Sequence, residues 1–303
     1  MEERAKNTNY VTVVGTQGSG KSLFLAATAQ NSVIATNGSE KAIVKGLKAD
    51  PVLVALAKNP KVQLPTKGRR GVKGTICFKG MSNAWSVPMI TTYVFDDRGG
   101  AFEQMLAHDF EAKGSIYSQT LSSDFAKSQA VIVVISINQL FNACPHFNPC
   151  TCTSQKARNC KHKNVSADCL HTSTYAVKRL ISAVYELTRE SRIPVSIAVT
   201  HSADFEHKIQ EASAILDSFI DDTYGRNYRP NYYFIDSMKA LQERRCNWSK
   251  SVSLPLCDVL YQLCDKIELN SRGFTYNFVW GNSSEAKADF KRVLLSEIEK
   301  RGM

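Results

Sequence analysis

The chain has 303 residues, 43% of them hydrophobic, and carries a net charge of +10 at neutral pH. That length and apolar content suit one enlarged globular domain, or a domain with a small appendage. No apolar run reaches the ~18–20 residues needed to cross a bilayer, so no transmembrane helix is expected. The start, MEERAKNTNY, has no apolar segment behind it and no glycine after Met1, and the end, EKRGM, has no prenylation cysteine. Neither a secretory leader nor a lipid anchor is therefore expected, and the thiols should be reduced in a cytoplasmic chain.

In chain order, a β-rich strand is expected at 10–14, then helices at 21–30 and 51–58. Strands at 75–78 and 89–95 precede a helix at 102–112. The longest apolar run, AVIVVISI at 130–137, reads as a buried strand; a long polar stretch separates it from a helix at 174–191. A strand at 195–200, a helix at 207–223, a strand at 232–235 and helices at 256–267 and 284–300 complete the pattern. This alternation predicts an α/β fold with a mostly parallel sheet and helices on both faces. The runs at 130–137 and 195–200 are continuously apolar, as strands covered on both faces are. The expected division is a domain over 1–245, interrupted by a Cys/His-rich insertion at 142–172, with a mainly helical extension over 246–303 packed on it.

Gly15-Thr16-Gln17-Gly18-Ser19-Gly20-Lys21-Ser22 fits G-x-x-x-x-G-K-[ST], a phosphate-binding loop. A β-rich strand (YVTVV) precedes it and an amphipathic helix (SLFLAATAQ) follows, the context that the motif requires. Glycines let backbone N–H groups converge on phosphate oxygens, and the helix N-terminus adds a favourable dipole. Lys21 should reach the β- and γ-phosphates, and Ser22 should ligate Mg²⁺. Gly15, Gln17, Gly18, Ser19, Gly20, Lys21 and Ser22 thus form the expected triphosphate cradle.

After the strand MITTYVF come Asp96-Asp97-Arg98-Gly99-Gly100. A carboxylate at the end of such a strand can hold Mg²⁺, directly or through water, and a glycine three residues on can offer its N–H to the γ-phosphate. Two registers are open, Asp96 with Gly99 or Asp97 with Gly100; the second is preferred because D-x-G-G then reads cleanly. With these residues the chain resembles the Ras-like (TRAFAC) P-loop GTPases, and within them the Arf, G-protein α and signal-recognition-receptor β branch. Leu64-Pro65-Thr66-Lys67-Gly68 resembles that branch's first switch element, which makes Thr66 the residue expected to close over the γ-phosphate and Mg²⁺. Ser237-Met238-Lys239 after the strand YYFID resembles the element whose backbone contacts guanine. The four elements come in the family's order over roughly 9–245. The resemblance implies GTP or GDP with Mg²⁺, with Lys21, Thr66 and Gly100 as the catalytic set.

The chain also departs from that pattern. The base-reading element, normally [NT]-K-x-D, is here Thr200-His201-Ser202-Ala203-Asp204. Asp204 could accept from the guanine N1 and N2 hydrogens, but it comes one residue late, and His201 stands where lysine is usual. The alternative role for Asp204 is a helix N-cap. In the preferred register Ala101 stands where the family has a water-orienting glutamine, and Gln17 stands where Ras has glycine. Both substitutions predict slow hydrolysis, helped by a partner or by an arginine such as Arg69, Arg70 or Arg98 in cis.

Cys144, His146, Cys150, Cys152, Cys160, His162, Cys169 and His171 crowd one polar stretch. Thiolates and imidazoles are zinc ligands, and Cys150, Cys152, Cys160 and Cys169 would supply four. A metal would order a loop that has no core of its own. Cys150-x-Cys152 is tighter than zinc-finger spacing, and a loop with free thiols or a disulfide remains the alternative. The insertion's expected role is partner recognition. The basic clusters KGRRGVK (67–73) and KARNCKHK (156–163) lack interleaved aromatics, so no specific nucleic acid partner is expected. A protein effector or activator, a homodimer, or a second GTPase chain are the expected partners. Three functions stay open: a GTPase switch, a GTP-bound scaffold without turnover, and an ATP-dependent P-loop enzyme.

Overall fold

The structure is a computed structural model, and it describes residues 8–16, 18–30, 33–37, 40–49, 51–60, 70–79, 89–96, 128–142, 174–225, 228–243, 246–263 and 295. The strands are β1 (Thr8–Gly15), β2 (Val33–Asn37), β3 (Glu40–Ala49), β4 (Arg70–Lys79), β5 (Met89–Asp96), β6 (Ala130–Ser136), β7 (Val195–Thr200) and β8 (Asn231–Phe234). The helices are α1 (Lys21–Gln30), α2 (Pro51–Lys58), α3 (Ile137–Phe141), α4 (Thr174–Thr188), α5 (Ile209–Tyr224), α6 (Ser237–Gln242), α7 (Asn247–Ser251) and α8 (Leu254–Leu263), with a 3₁₀ helix at Ser202–Lys208.

Among the described residues, eight strands form one sheet in the order β2-β3-β4-β5-β1-β6-β7-β8. The run β5-β1-β6-β7-β8 is parallel throughout; β4, β3 and β2 add an antiparallel wing beside β5. The α/β architecture with a mostly parallel core is therefore as the alternation predicts. Beyond β1 the chain builds to one side as far as β5, then crosses to β6 on the other. This reversal beside β1 is a topological switch point, where open α/β sheets bind ligands at the strands' carboxyl ends.

The central strands are apolar on both faces because both faces are covered. Along β6, Ile132 and Val134 join one core with Val11, Val13 and helices α1, α2, α6 and α8. Val131, Val133 and Ile135 join the opposite core with α3, α4 and α5. The period of two splits one strand between two cores, and Ile132 and Ile135 are fully buried. At the start of the 246–303 region, α8 lays Leu254, Leu256, Cys257, Val259 and Leu263 into the first core. Beside β8 it also carries Asp258, 1% exposed. Asn231 Nδ2 and Gln262 Nε2 donate to Asp258 Oδ1 at 2.9 and 3.1 Å, while Oδ2 is buried.

Three expectations need correction. The hairpin β2–β3 was not foreseen; Asn37 pairs with Glu40 across it, and Asn37-Gly38 is the hairpin signal that would have revealed it. The strand expected to Ile137 stops at Ser136, because the Gln139 side chain, not a strand neighbour, takes the Ser136 N–H at 2.9 Å. The helix expected from 207 begins earlier, as the 3₁₀ turn at Ser202–Lys208, with a kink at Phe205 before α5. The helices expected at 102–112 and, apart from Leu295, at 284–300 lie outside the described residues.

Candidate phosphate-binding edge

The motif at Gly15 folds as its chemistry requires. β1 ends at Gly15 and α1 begins at Lys21. Gly18 and Gly20 have φ of 75° and 86°, the left-handed region where only glycine is free of strain. A Cβ on Gly15 would sit 2.2 Å from the Val134 carbonyl oxygen, so β6 can lie this close only against glycine. A Cβ on Gly18 would meet nothing within 4 Å among the described residues. Lys21 is 7% exposed. Its ammonium donates to Gly15 O at 2.8 Å and Thr16 O at 2.9 Å, so it is held inside the loop's curve. The Thr16 carbonyl also accepts from Ser19 N at 3.2 Å.

The loop is tied to three neighbouring elements. Thr200 Oγ1, at the end of β7, donates to Ser19 O at 2.7 Å and lies 3.1 Å from Ile135 O. Gln139 Nε2 on α3 donates to Thr16 Oγ1 at 2.6 Å. His201, with φ of 59°, packs its ring beside Gly20. Its Nδ1 lies 3.0 Å from Thr200 Oγ1 and 3.2 Å from Ser136 Oγ. Thr200 thus binds the end of β7 to the loop at Gly15–Ser22.

Asp204, expected to read the base, follows β7 in the 3₁₀ helix Ser202–Lys208. It is exposed in the first turn of the 3₁₀ helix, and the cap position belongs to His201, so Asp204 is not an N-cap. The residue that orders this edge is Asp236. It is 4% exposed; its Oδ1 accepts from Lys239 N at 2.8 Å and its Oδ2 from Ala203 N at 3.3 Å. One carboxylate therefore joins the loop after β7 to the N-terminus of α6, where Ser237, Met238 and Lys239 form the first turn. Sequence reasoning passed over Asp236, although an aspartate directly before a short helix is an N-cap signal.

Two observations bear on whether a nucleotide fits. Ser19 Oγ in the phosphate loop and Ser237 Oγ in the base-side turn are buried with no hydrogen-bond partner among the described residues. Buried hydroxyls are rarely left unpartnered in a finished structure. Both stand at the edge where a nucleotide would lie. Ser22 lies in the first turn of α1, and the β1–β5 register sets Asp96 beside Val13, at the same edge. Gln17, Thr66, Asp97, Gly100, Ala101, Cys150, Cys152, Cys160 and Cys169 lie outside the described residues. Among the described residues no group of three or more His, Cys, Asp or Glu could hold a metal, Cys246 is a free thiol, and no helix is long and apolar enough to cross a membrane.

No known family of proteins matches the sequence, and neither does any curated protein. Among solved structures the chain is similar to a nucleolar GTP-binding protein 1 of Plasmodium falciparum, with a TM-score of 0.42 and 9% identity over 86% of this chain and 90% of that one. It is also similar to the translation elongation factor SelB of Methanococcus maripaludis in complex with a GTP analogue, with a TM-score of 0.40 and 9% identity. A bacterial selenocysteine-specific elongation factor gives a TM-score of 0.37 and 9% identity. The chain covers 89% and 82% of its own length in these two comparisons, but only 36% and 29% of the elongation factors.

Proposed function

We propose that this protein is a guanine-nucleotide-binding switch of the Ras-like P-loop kind, in the style of the Arf branch, working in the cytoplasm with a protein effector or activator. The observation that carries the reading is the phosphate loop: two left-handed glycines, an inward-held Lys21 and a helix N-terminus, at the carboxyl end of the central strand. In this reading Lys21 and the loop N–H groups hold the β- and γ-phosphates. Ser22, Thr66 and Asp97 hold Mg²⁺, which neutralises phosphate charge when bound. The Gly100 N–H meets the γ-phosphate. His201, Asp204 and the turn Ser237-Met238-Lys239 face the base. Asp236 keeps the two base-side loops at a fixed separation.

Ala101 carries no group to orient a water, and Gln17 puts a side chain where an arginine finger would approach. Both favour a second reading, a GTP-bound scaffold with little turnover. Cys150, Cys152, Cys160 and Cys169 hold structural zinc in either reading, and metal analysis of the purified protein tests this with an expected stoichiometry near one. Titration of GTP, GDP and ATP with Mg²⁺ tests the main proposal: GTP and GDP should bind in preference to ATP, and Lys21→Ala should abolish binding. Tighter binding of ATP would point to an ATP-dependent P-loop enzyme instead. Multiple-turnover hydrolysis then separates switch from scaffold.

A further inference from the structure

The loop's hydrogen bonds lead away from the nucleotide to α3, a helix of five residues. Gln139 on α3 is 5% exposed. Glutamine is seldom so buried, and its amide must then be satisfied at both ends. Oε1 accepts from Ser136 N at 2.9 Å, the ordinary task of a glutamine at the third position of a helix. That task leaves Nε2 free to face water. Here Nε2 instead donates to Thr16 Oγ1 at 2.6 Å, and Thr16 is fully buried. Thr16 is the residue whose carbonyl takes both Lys21 Nζ and Ser19 N. A helix cap does not need this second bond; the phosphate loop does.

The other end of α3 is equally committed. Thr174 Oγ1, at the start of α4, lies within hydrogen-bond reach of Gln139 O at 3.2 Å and Leu140 O at 3.1 Å, and Thr174 N donates to Asn142 O at 3.2 Å. Asn142 and Thr174, which flank the Cys/His-rich stretch in sequence, therefore meet at the last turn of α3. Phe141 stacks on Phe205 of the 3₁₀ helix, centroids 6.1 Å apart, which reaches the base-side loop. One short helix thus touches the phosphate loop, the base-side loop and both ends of the insertion.

We propose that Gln139 is a positioning residue for the phosphate loop, and that through it the closure of the chain at Asn142 and Thr174 sets nucleotide affinity. This rests on the nucleotide-binding reading above. The test measures Mg²⁺–GTP affinity of the full chain and of variants, with circular dichroism to confirm the fold. Gln139→Met keeps length and loses the amide. It should weaken binding about tenfold, the size of one lost buried hydrogen bond. Thr16→Val should do the same, and Thr16→Ser, which keeps the hydroxyl, should restore affinity to within twofold. Thr174→Val should weaken binding about threefold in the wild-type background and not at all in Gln139→Met, since the path is already cut. A purely structural glutamine would show neither the serine rescue nor this dependence on background. Folded Gln139→Met and Thr16→Val proteins that bind within twofold of wild type would overturn the inference. If instead the wild-type chain binds no nucleotide, it is the function proposed above that fails.

Discussion

The two halves of the candidate site are built to different tolerances. On the phosphate side the Thr16 hydroxyl and the Gly15, Thr16 and Ser19 carbonyls are engaged, and the loop's lysine is buried with bonds to two of them. On the base side the frame is equally fixed, through Asp236, but the carboxylate expected to read the base is exposed and has no partner among the described residues. Under the proposed function, affinity for phosphate would be pre-organised, whereas base choice would depend on a group that the fold does not hold. An interaction that is fixed before binding costs no ordering entropy when the ligand arrives.

The largest expected effect sharpens the phosphate half. Lys21→Ala removes a buried ammonium that would meet phosphate oxygens through charge-assisted bonds, each contributing roughly 1.5–3 kcal/mol. Affinity for Mg²⁺–GTP should fall on the order of 10²-fold or more by fluorescence titration, and the unfolding midpoint should fall too, because a buried side chain with two backbone hydrogen bonds is lost. A loss under tenfold would break the comparison, because the phosphate half would then not dominate binding.

Asp236→Ala comes next and probes the frame of the base half. It strands the Ala203 and Lys239 N–H groups at a buried edge, costing about 1–3 kcal/mol for each unsatisfied donor. The urea midpoint should fall accordingly, and the GTP-over-ATP preference should shrink about tenfold as the two loops drift. Lost stability with base preference intact would show Asp236 to be a scaffold element without a part in recognition.

Asp204→Ala asks whether an unheld group can discriminate. Stability should change by less than about 0.5 kcal/mol, as for exposed sites in general. Preference for GTP over ATP should fall about tenfold, measured by competition. An unchanged ratio would move base reading to the backbone of Ser237-Met238-Lys239.

The same contrast explains what could be read from sequence. The turn between β1 and α1 was legible because the motif demands fixed residue types at fixed spacing: Gly15 for β6 to approach, Gly18 and Gly20 for positive φ. The parallel core was legible because strands covered on both faces read as unbroken apolar runs. Asp236 was not, because an N-cap is a local signal that occurs at many helix starts, and its second bond, to Ala203 N, spans 33 residues. Gln139 was hidden for the same reason, its partner Thr16 lying 123 residues away. Long-range polar pairing leaves no periodicity in the chain. The β2–β3 hairpin is different: Asn37-Gly38 announced it, and the polar, lysine-bearing strand after it lacked the apolar run being sought.

The smallest expected effect is at the far edge of the sheet and calibrates the other three. Burial raises the Asp258 carboxyl above its ordinary value, although hydrogen bonds from Asn231 and Gln262 pull it back in part. A carboxyl whose folded pKa is raised binds more protons in the native state than in the unfolded one. Stability therefore declines as pH rises from the unfolded value, about 3.9, to the raised folded value, and is flat above it. The slope from one such group is at most about 1.4 kcal/mol per pH unit. Asp258→Asn should remove this slope from urea denaturation measured between pH 4 and 8, and the neutral side chain should leave the protein slightly more stable at the upper end. Nucleotide affinity should not move, because β8 and α8 meet there at the sheet's opposite end from the phosphate loop. A change in affinity would mean that the core under β6–β8 transmits to the loop, and the two-halves picture would need a third member.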